Sequence, residues 1–204
     1  PHNQEFKLDP PLVESLVQWR KLIEAGPPRP IDLACGRLAD AVIFTDGFTP
    51  DPRSSDRSPD RIGGVLFDRR LKQPRQFTAE VPAWIKEQWL ERTTQIMPIE
   101  MIAPVVALSS FSDRVVGADI ILLIDSEAVE AALVKGYSSR EDMCHIISVF
   151  WDLALEMRCR IFIDRVSTDA NPADWPSRSR LDIGERAGWS TIDPVWPKAF
   201  DRKV

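Results

Sequence analysis

The stretch "DAVIFTDGF", residues 40–48, is a β-rich run whose side chains alternate between two faces. Val42, Phe44 and Asp46 share one face, while Ala41, Ile43 and Thr45 share the other. Asp46 thus ends an otherwise apolar face, and Gly47 follows it. A carboxylate in that position needs a partner or a purpose, and the rest of the chain has to supply it.

Outward from this strand, "TPDPRSSDRSPDR" holds Pro, Ser, Asp and Arg without periodicity and reads as a loop. "IGGVLFD" (62–68) and "RQFTAEV" (75–81) read as the second and third strands of a meander. A Trp-bearing segment (83–95) leads to an apolar helix from about Pro98 to Phe111, with a kink or an earlier boundary expected at Pro104. "ADIILLID" (118–125) is apolar on both faces, as a covered central strand is. "SEAVEAALVKG" predicts a short helix closing at Gly136. From Ser139 onward, Met143, Ile146, Ile147, Phe150, Trp151, Ala154 and Leu155 follow the helical template. "CRIFIDRV" is the fifth strand, and the turn "ANPAD" and a Trp- and Pro-rich tail follow.

This order predicts an α/β domain around a mixed five-stranded sheet: three antiparallel strands, then parallel crossovers, with helices on both faces. Ahead of it, residues 9–25 read as an amphipathic helix carrying Leu12, Leu16, Trp19 and Ile23 at helical spacing. The expected organisation is a connection helix and Pro-rich linker over 1–30, a central domain over 39–180 and a tail over 181–204.

Bulk composition narrows the function. The chain has 204 residues and 44% apolar content, enough for one packed domain with an accessory segment. A net charge of −5 argues against a protein that lives by bulk attraction to nucleic acid. It is compatible with a nuclease whose own carboxylates add negative charge and whose grip comes from a neighbouring domain. No apolar run approaches the roughly 20 residues of a membrane span, so no membrane partner is expected. The start "PHNQEFKLDPP" has no signal-peptide pattern, and its lack of Met suggests an excised fragment. Cys35, Cys144 and Cys159 have neither metal spacing nor an even count, so free thiols in a reducing intracellular compartment are expected.

Three acids fall at strand ends or on a helix face in this scheme. Asp46 ends a face of the first strand, Asp125 terminates the fourth, and Glu100 lies in the first turn of an apolar helix with Ala103 and Ala107 nearby. Singly, each has an ordinary explanation as a turn residue or a complement to the helix dipole. Together they are harder to dismiss. Two carboxylates about 4 Å apart repel by roughly 4 kcal/mol at an effective dielectric near 20. Such a cluster needs protonation or a cation, and all-oxygen donors select Mg²⁺ or Mn²⁺ over zinc.

At these residues the sequence resembles the ribonuclease H family, particularly the RNase H domains of retroelement reverse transcriptases. "FTDGF" (44–48) is similar to its first-strand T-D-G-S motif and "IGGVLF" to its second-strand glycines. "IEMIAPVVAL" (99–108) resembles its Glu-bearing helix, "IDSEAV" (124–129) its D-S turn, and "NPADWPSR" (171–178) the N-P-A-D-x-x-S-R signature of retrotransposon polyproteins. The resemblance covers about Ala39 to Arg180, in family order. It implies a two-metal endonuclease that cuts the RNA strand of an RNA–DNA hybrid, with an attached polymerase domain as partner. Asp46, Glu100, Asp125 and Asp174 would hold two Mg²⁺ ions, replaceable by Mn²⁺, with Gly47, Ser126, Asn171 and Arg178 as substrate contacts. An alternative is an RNase H-like scaffold or tether that has lost catalysis.

The departures carry expectations of their own. Phe48 stands where the first motif has a small hydroxyl residue, which implies an altered substrate contact. No His lies between Arg165 and Asp174, and His145, off the apolar stripe of its helix, reads as a surface residue. The basic substrate-gripping helix of cellular members is absent, so activity in isolation should be weak. Asp169 competes with Asp174 as the last ligand but lies outside the matched signature. Arg69, Arg70, Lys72 and Arg75 read as a solvated turn, and Trp175, Trp189 and Trp196 as cover for the core.

Overall fold

The predicted meander forms through β1 (Ala41–Phe48), β2 (Arg61–Asp68) and β3 (Arg75–Glu80), each antiparallel to the one before. The structure, a computed structural model, describes residues 8–25, 38–51 and 53–201. β4 (Asp119–Ile124) joins the free edge of β1 in parallel, and β5 (Arg160–Arg165) joins β4 in the same sense. β6 (Ser190–Thr191) lies parallel to β3, giving the order β5-β4-β1-β2-β3-β6. Among the described residues the sheet therefore has six strands rather than five. Two residues carry no alternation to read, and β6 exists because Ser190 and Ile192 donate their amides to the Pro74 and Gln76 carbonyls.

The helices are α1 (Pro10–Ala25), α2 (Ala83–Lys86), α3 (Ile96–Ser110), α4 (Ser112–Val115), α5 (Glu127–Lys135), α6 (Glu141–Glu156), α7 (Asp174–Ser177) and α8 (Leu181–Arg186). The chain divides into two compact units, Pro1–Gly36 and Arg37–Val204. In the first, α1 forms where the periodicity places it, with Leu12, Leu16, Trp19 and Ile23 exposed. The Pro-rich linker from Gly26 to Pro30 lies outside the described residues, as does Cys35. The second unit takes in residues 181–201, whose Phe200 is buried in the core.

In the second unit α3 packs on β1, β2 and α6, and α7 packs on β1, β2 and β3. Ile43, Leu66, Phe77, Leu122 and Ile163 face the layer containing α3 and α6 and build the main core with Ile102, Val106, Ile146 and Phe150. α3 runs unbroken through Pro104, so the expected kink or boundary does not appear. Pro104 has no amide to give the Glu100 carbonyl four residues back, but burial on every side of this helix outweighs one lost hydrogen bond.

Two glycines set how closely these layers approach the sheet. A Cβ on Gly47 would lie 2.7 Å from the Glu100 nitrogen and 2.8 Å from its Cα, so only a bare backbone admits α3 there. Gly63 is paired across the ladder with Asp46 and shares its face, where a Cβ would lie 2.7 Å from the Ala173 oxygen and 2.9 Å from the Pro176 carbonyl carbon. The sheet is thus pinched from both sides at Asp46.

A buried acid ties the irregular segment before α3 to α6. Asp142 accepts the Leu90 amide at 3.0 Å, the Met143 amide at 3.0 Å and the Arg92 guanidinium at 2.6 Å. Burial pushes its carboxyl up, but Arg92 and the Leu90 amide outweigh that and hold it below the usual carboxylate range.

Two outcomes follow for stability. Gly63→Ala should lose about 2 kcal/mol in urea unfolding, because the contacts its methyl meets are main chain and cannot rotate away. Asp142→Ala should lose about 3 kcal/mol at pH 7. A depressed carboxyl stabilises the fold above its unfolded-state pKa and stops doing so as pH falls through the folded value. The Asp142→Ala deficit should therefore shrink below about pH 4, as unfolding at pH 7 and pH 3 would show.

Candidate active site

All four predicted acids come to one end of the sheet. Thr45 of β1 stands beside Ile124 of β4, so one further step along these parallel strands sets Asp46 beside Asp125. Glu100 enters from α3: between Pro98 and Leu108 every other residue is buried, and it alone is half-exposed. Asp174 is the first residue of α7, which packs on β1 and β2 from the opposite face.

Their charges converge on Asp46, which is 8% exposed. Burial pushes its carboxyl up to about 7, and the neighbouring charges of Asp125, Asp174 and Glu100 push the same way against the Ser177 hydroxyl. Glu100 is likewise raised, first by burial and then by Asp125, with the Ser126 hydroxyl opposing. Asp169, in the exposed turn Thr168–Ala170, is not among the groups acting on Asp46, whereas Asp174 is.

Three of the acids have a donor supplied by a neighbouring segment. Fully buried Ser177 donates its hydroxyl to Asp46 and is also 3.1 Å from the Asp174 carbonyl. Ser126, beside Asp125, hydrogen-bonds to Glu100. Arg178 donates Nε to the Asp174 carboxylate at 2.6 Å, and its guanidinium carbon lies 4.9 Å from the Phe48 ring centre. As placed, no group of three or more His, Cys, Asp or Glu among the described residues is arranged to hold a metal ion. The donor chemistry nonetheless suits a hard cation, since the converging groups are carboxylates and the most buried of them is destabilised by the rest.

The expected substrate contacts differ in what surrounds them. Asn171 is 3% exposed, and its amide is used inside the fold: Nδ2 donates to the Thr45 carbonyl at 3.1 Å and Oδ1 accepts the Ala173 amide at 3.1 Å. It staples the α7 turn to β1 one residue before Asp46. Gly47 is spent on the approach of α3, and Ser126 on Glu100. Arg178 keeps 49% of its side chain exposed.

Ser177 is one position of the "NPADWPSR" signature, and nothing local marks it as the partner of a residue 131 positions away. His145 is half-buried and not a surface residue: its ring packs edge-on against Phe200, because the tail folds back over α6. Arg69, Arg70 and Arg75 pair with Asp40, Asp68 and Asp113, at the end of β1 remote from Asp46. Trp175 stacks on Trp189, which meets Phe67 edge-on, and Trp196 packs against the core, all as cover. Cys144 and Cys159 are free and half-buried, and burial pushes the Cys159 thiol up to about 11.

A raised carboxyl weakens the fold as it ionises, so the penalty is absent below about pH 4 and complete above about pH 7. In metal-free buffer Asp46→Asn should therefore be more stable than the parent by on the order of 2–4 kcal/mol at pH 8. Urea unfolding should find that advantage gone near pH 4.

No family model and no curated protein matches the chain. Solved structures do. LC11-RNase H1, isolated from compost by a metagenomic approach, is similar with a TM-score of 0.52 and 18% identity, over 72% of this chain and 98% of its own. Its structure in complex with an RNA/DNA hybrid gives 0.51 and 17%, over 70% and 97%. RNase H1 of the halophilic archaeon Halobacterium salinarum NRC-1 gives 0.49 and 21%, over 70% and 98%. At 17–18% identity the LC11 likeness bears on the fold, and it agrees with the strand order and the helix layers. The chain has the ribonuclease H-like fold.

Proposed function

We propose that this chain is a metal-dependent endonuclease that cuts the RNA strand of RNA–DNA hybrids, working beside a polymerase domain in a reverse transcriptase polyprotein. One observation carries the proposal: a buried carboxylate, Asp46, on which the charges of Asp125, Asp174 and Glu100 converge at one end of a ribonuclease H-like sheet. The hybrid bound by LC11-RNase H1, a protein of the same fold, supports this substrate class. The polymerase context rests on the "NPADWPSR" resemblance alone.

Asp46, Glu100, Asp125 and Asp174 would hold the divalent ions, whose contribution is an acidified water and stabilisation of the departing 3′ oxygen. The protein's own part is geometric. Gly47 and Gly63 bring α3 and α7 onto the sheet, Asn171 ties the Asp174 turn to β1, and Ser177 orients Asp46. Burial around Asp46 thins the water, so attraction between these carboxylates and a cation exceeds its value at an exposed site.

A second reading, an RNase H-like scaffold without catalysis, has one observation in its favour. As placed, each of three acids is engaged by a local hydroxyl or guanidinium, and no three form a ready ion site among the described residues. Incubating the chain with labelled RNA–DNA hybrid, duplex RNA and duplex DNA, with and without Mg²⁺, separates the two readings. The nuclease should cut only the RNA of the hybrid, and only with the ion. Asp46→Asn and Asp125→Asn should each lower that rate by about a thousandfold or more while the circular dichroism spectrum stays native. Cleavage undiminished in those variants would remove the proposed mechanism.

A further inference from the structure

The mechanism proposed above leaves Phe48 and Arg178 without a role. Phe48 closes β1, two residues after Asp46, and its ring is half-buried. The Arg178 guanidinium lies 4.9 Å from that ring centre and gives its Nε to Oδ1 of Asp174 at 2.6 Å. One cation is thus held from two sides, by an aromatic face on the sheet and by a carboxylate on α7. An isolated, half-exposed ion pair would be loosely placed. A guanidinium is planar and can rest flat on a ring while its edge donates, which an ammonium cannot do in the same way. The hydrogen bond engages one carboxylate oxygen, Oδ1. The next residue back, Ser177, reaches Asp46, so α7 contacts the acid cluster through consecutive side chains.

We infer that Phe48 and Arg178 form a clamp that sets the orientation of the Asp174 carboxylate, which makes Arg178 a positioning residue for the divalent ion rather than a contact for the nucleic acid. The inference rests on the metal-dependent reading above. Phe48, which departs from the small hydroxyl residue of the resembled motif, then has a use: it is the platform that keeps Arg178 beside Asp174. Partners that orient a metal-binding carboxylate contribute about 10–100-fold to ion affinity. A phosphate contact would instead contribute to hybrid affinity and to its salt dependence.

The test uses the whole chain and two measurements that need no turnover. Mn²⁺ is titrated calorimetrically into the parent and the variants Arg178→Ala, Arg178→Lys and Phe48→Leu. Binding of labelled RNA–DNA hybrid is measured in EDTA across a salt series. The clamp predicts Mn²⁺ affinity about 10-fold weaker in Arg178→Ala, with smaller losses in Arg178→Lys and Phe48→Leu. It also predicts hybrid affinity in EDTA within about twofold of the parent for all three. Arg178→Lys and Phe48→Leu keep the charge or the apolar bulk, so they carry the test even where Arg178→Ala unfolds. Unchanged or tighter Mn²⁺ binding in the variants of a parent that does bind the ion overturns the clamp and leaves the nuclease reading intact. Weaker hybrid binding with a flatter salt slope, and unaltered Mn²⁺ binding, makes Arg178 a phosphate contact and likewise overturns it. A parent that takes up no Mn²⁺ removes both the clamp and the metal-dependent reading.

Discussion

The structure around Asp46 depends on main chain meeting main chain where side chains are missing. Gly47 admits the backbone of α3 at Glu100, and Gly63 admits that of α7 between Ala173 and Pro176. These two contacts lie on opposite faces of the sheet, one residue from Asp46 along the strand and directly across the ladder from it. They bury a carboxylate that has three other acids for neighbours. The fold tolerates this because the rest of the unit is well packed, with Ile43, Ile62, Leu66, Phe77, Ile102 and Phe150 fully enclosed. Local instability is thereby concentrated at one point and offset elsewhere.

That concentration explains why the acids are braced in a crossed pattern. Ser126 follows Asp125 but hydrogen-bonds to Glu100, and Ser177 sits on the helix of Asp174 but holds Asp46. Asn171 fastens the same turn to Thr45. Glu100 and Asp46 are therefore each positioned by the segment that carries another acid, and their orientations are coupled to Asp125 and Asp174. Groups connected in this way respond non-additively when one is changed. A guanidinium resting on Phe48 adds positive charge to a neighbourhood otherwise dominated by anions.

Much of this architecture was legible because it is periodic or spelled by special residues. Five strands and the helices α1, α3, α5 and α6 follow from alternation and from helical spacing, as Ala41–Phe48 and Glu141–Glu156 illustrate. Glu100 stood out as the one acid in an apolar helix, and between Pro98 and Leu108 that helix proved buried at every other residue. β6 was missed because a two-residue strand has no period. Unbroken α3 at Pro104 was missed because a local rule about proline competes with the burial of a whole helix. His145 was misplaced because the residue covering it, Phe200, lies 55 positions further along and reaches it only through the returning tail.

Sequence by itself settled the order of the five longer strands and the main helices, the strand face of Asp46 and the excess of carboxylate over base along the chain, since these depend on chain-local period and composition. Only the tertiary structure decided that Asn171 is a buried staple, that Ser177 faces Asp46, and that Arg178 rests between Phe48 and Asp174. The physical reason is one of range. A backbone period is written within a few residues, whereas a hydrogen bond between Ser177 and Asp46 depends on how a sheet and a short helix stack across 131 positions of chain.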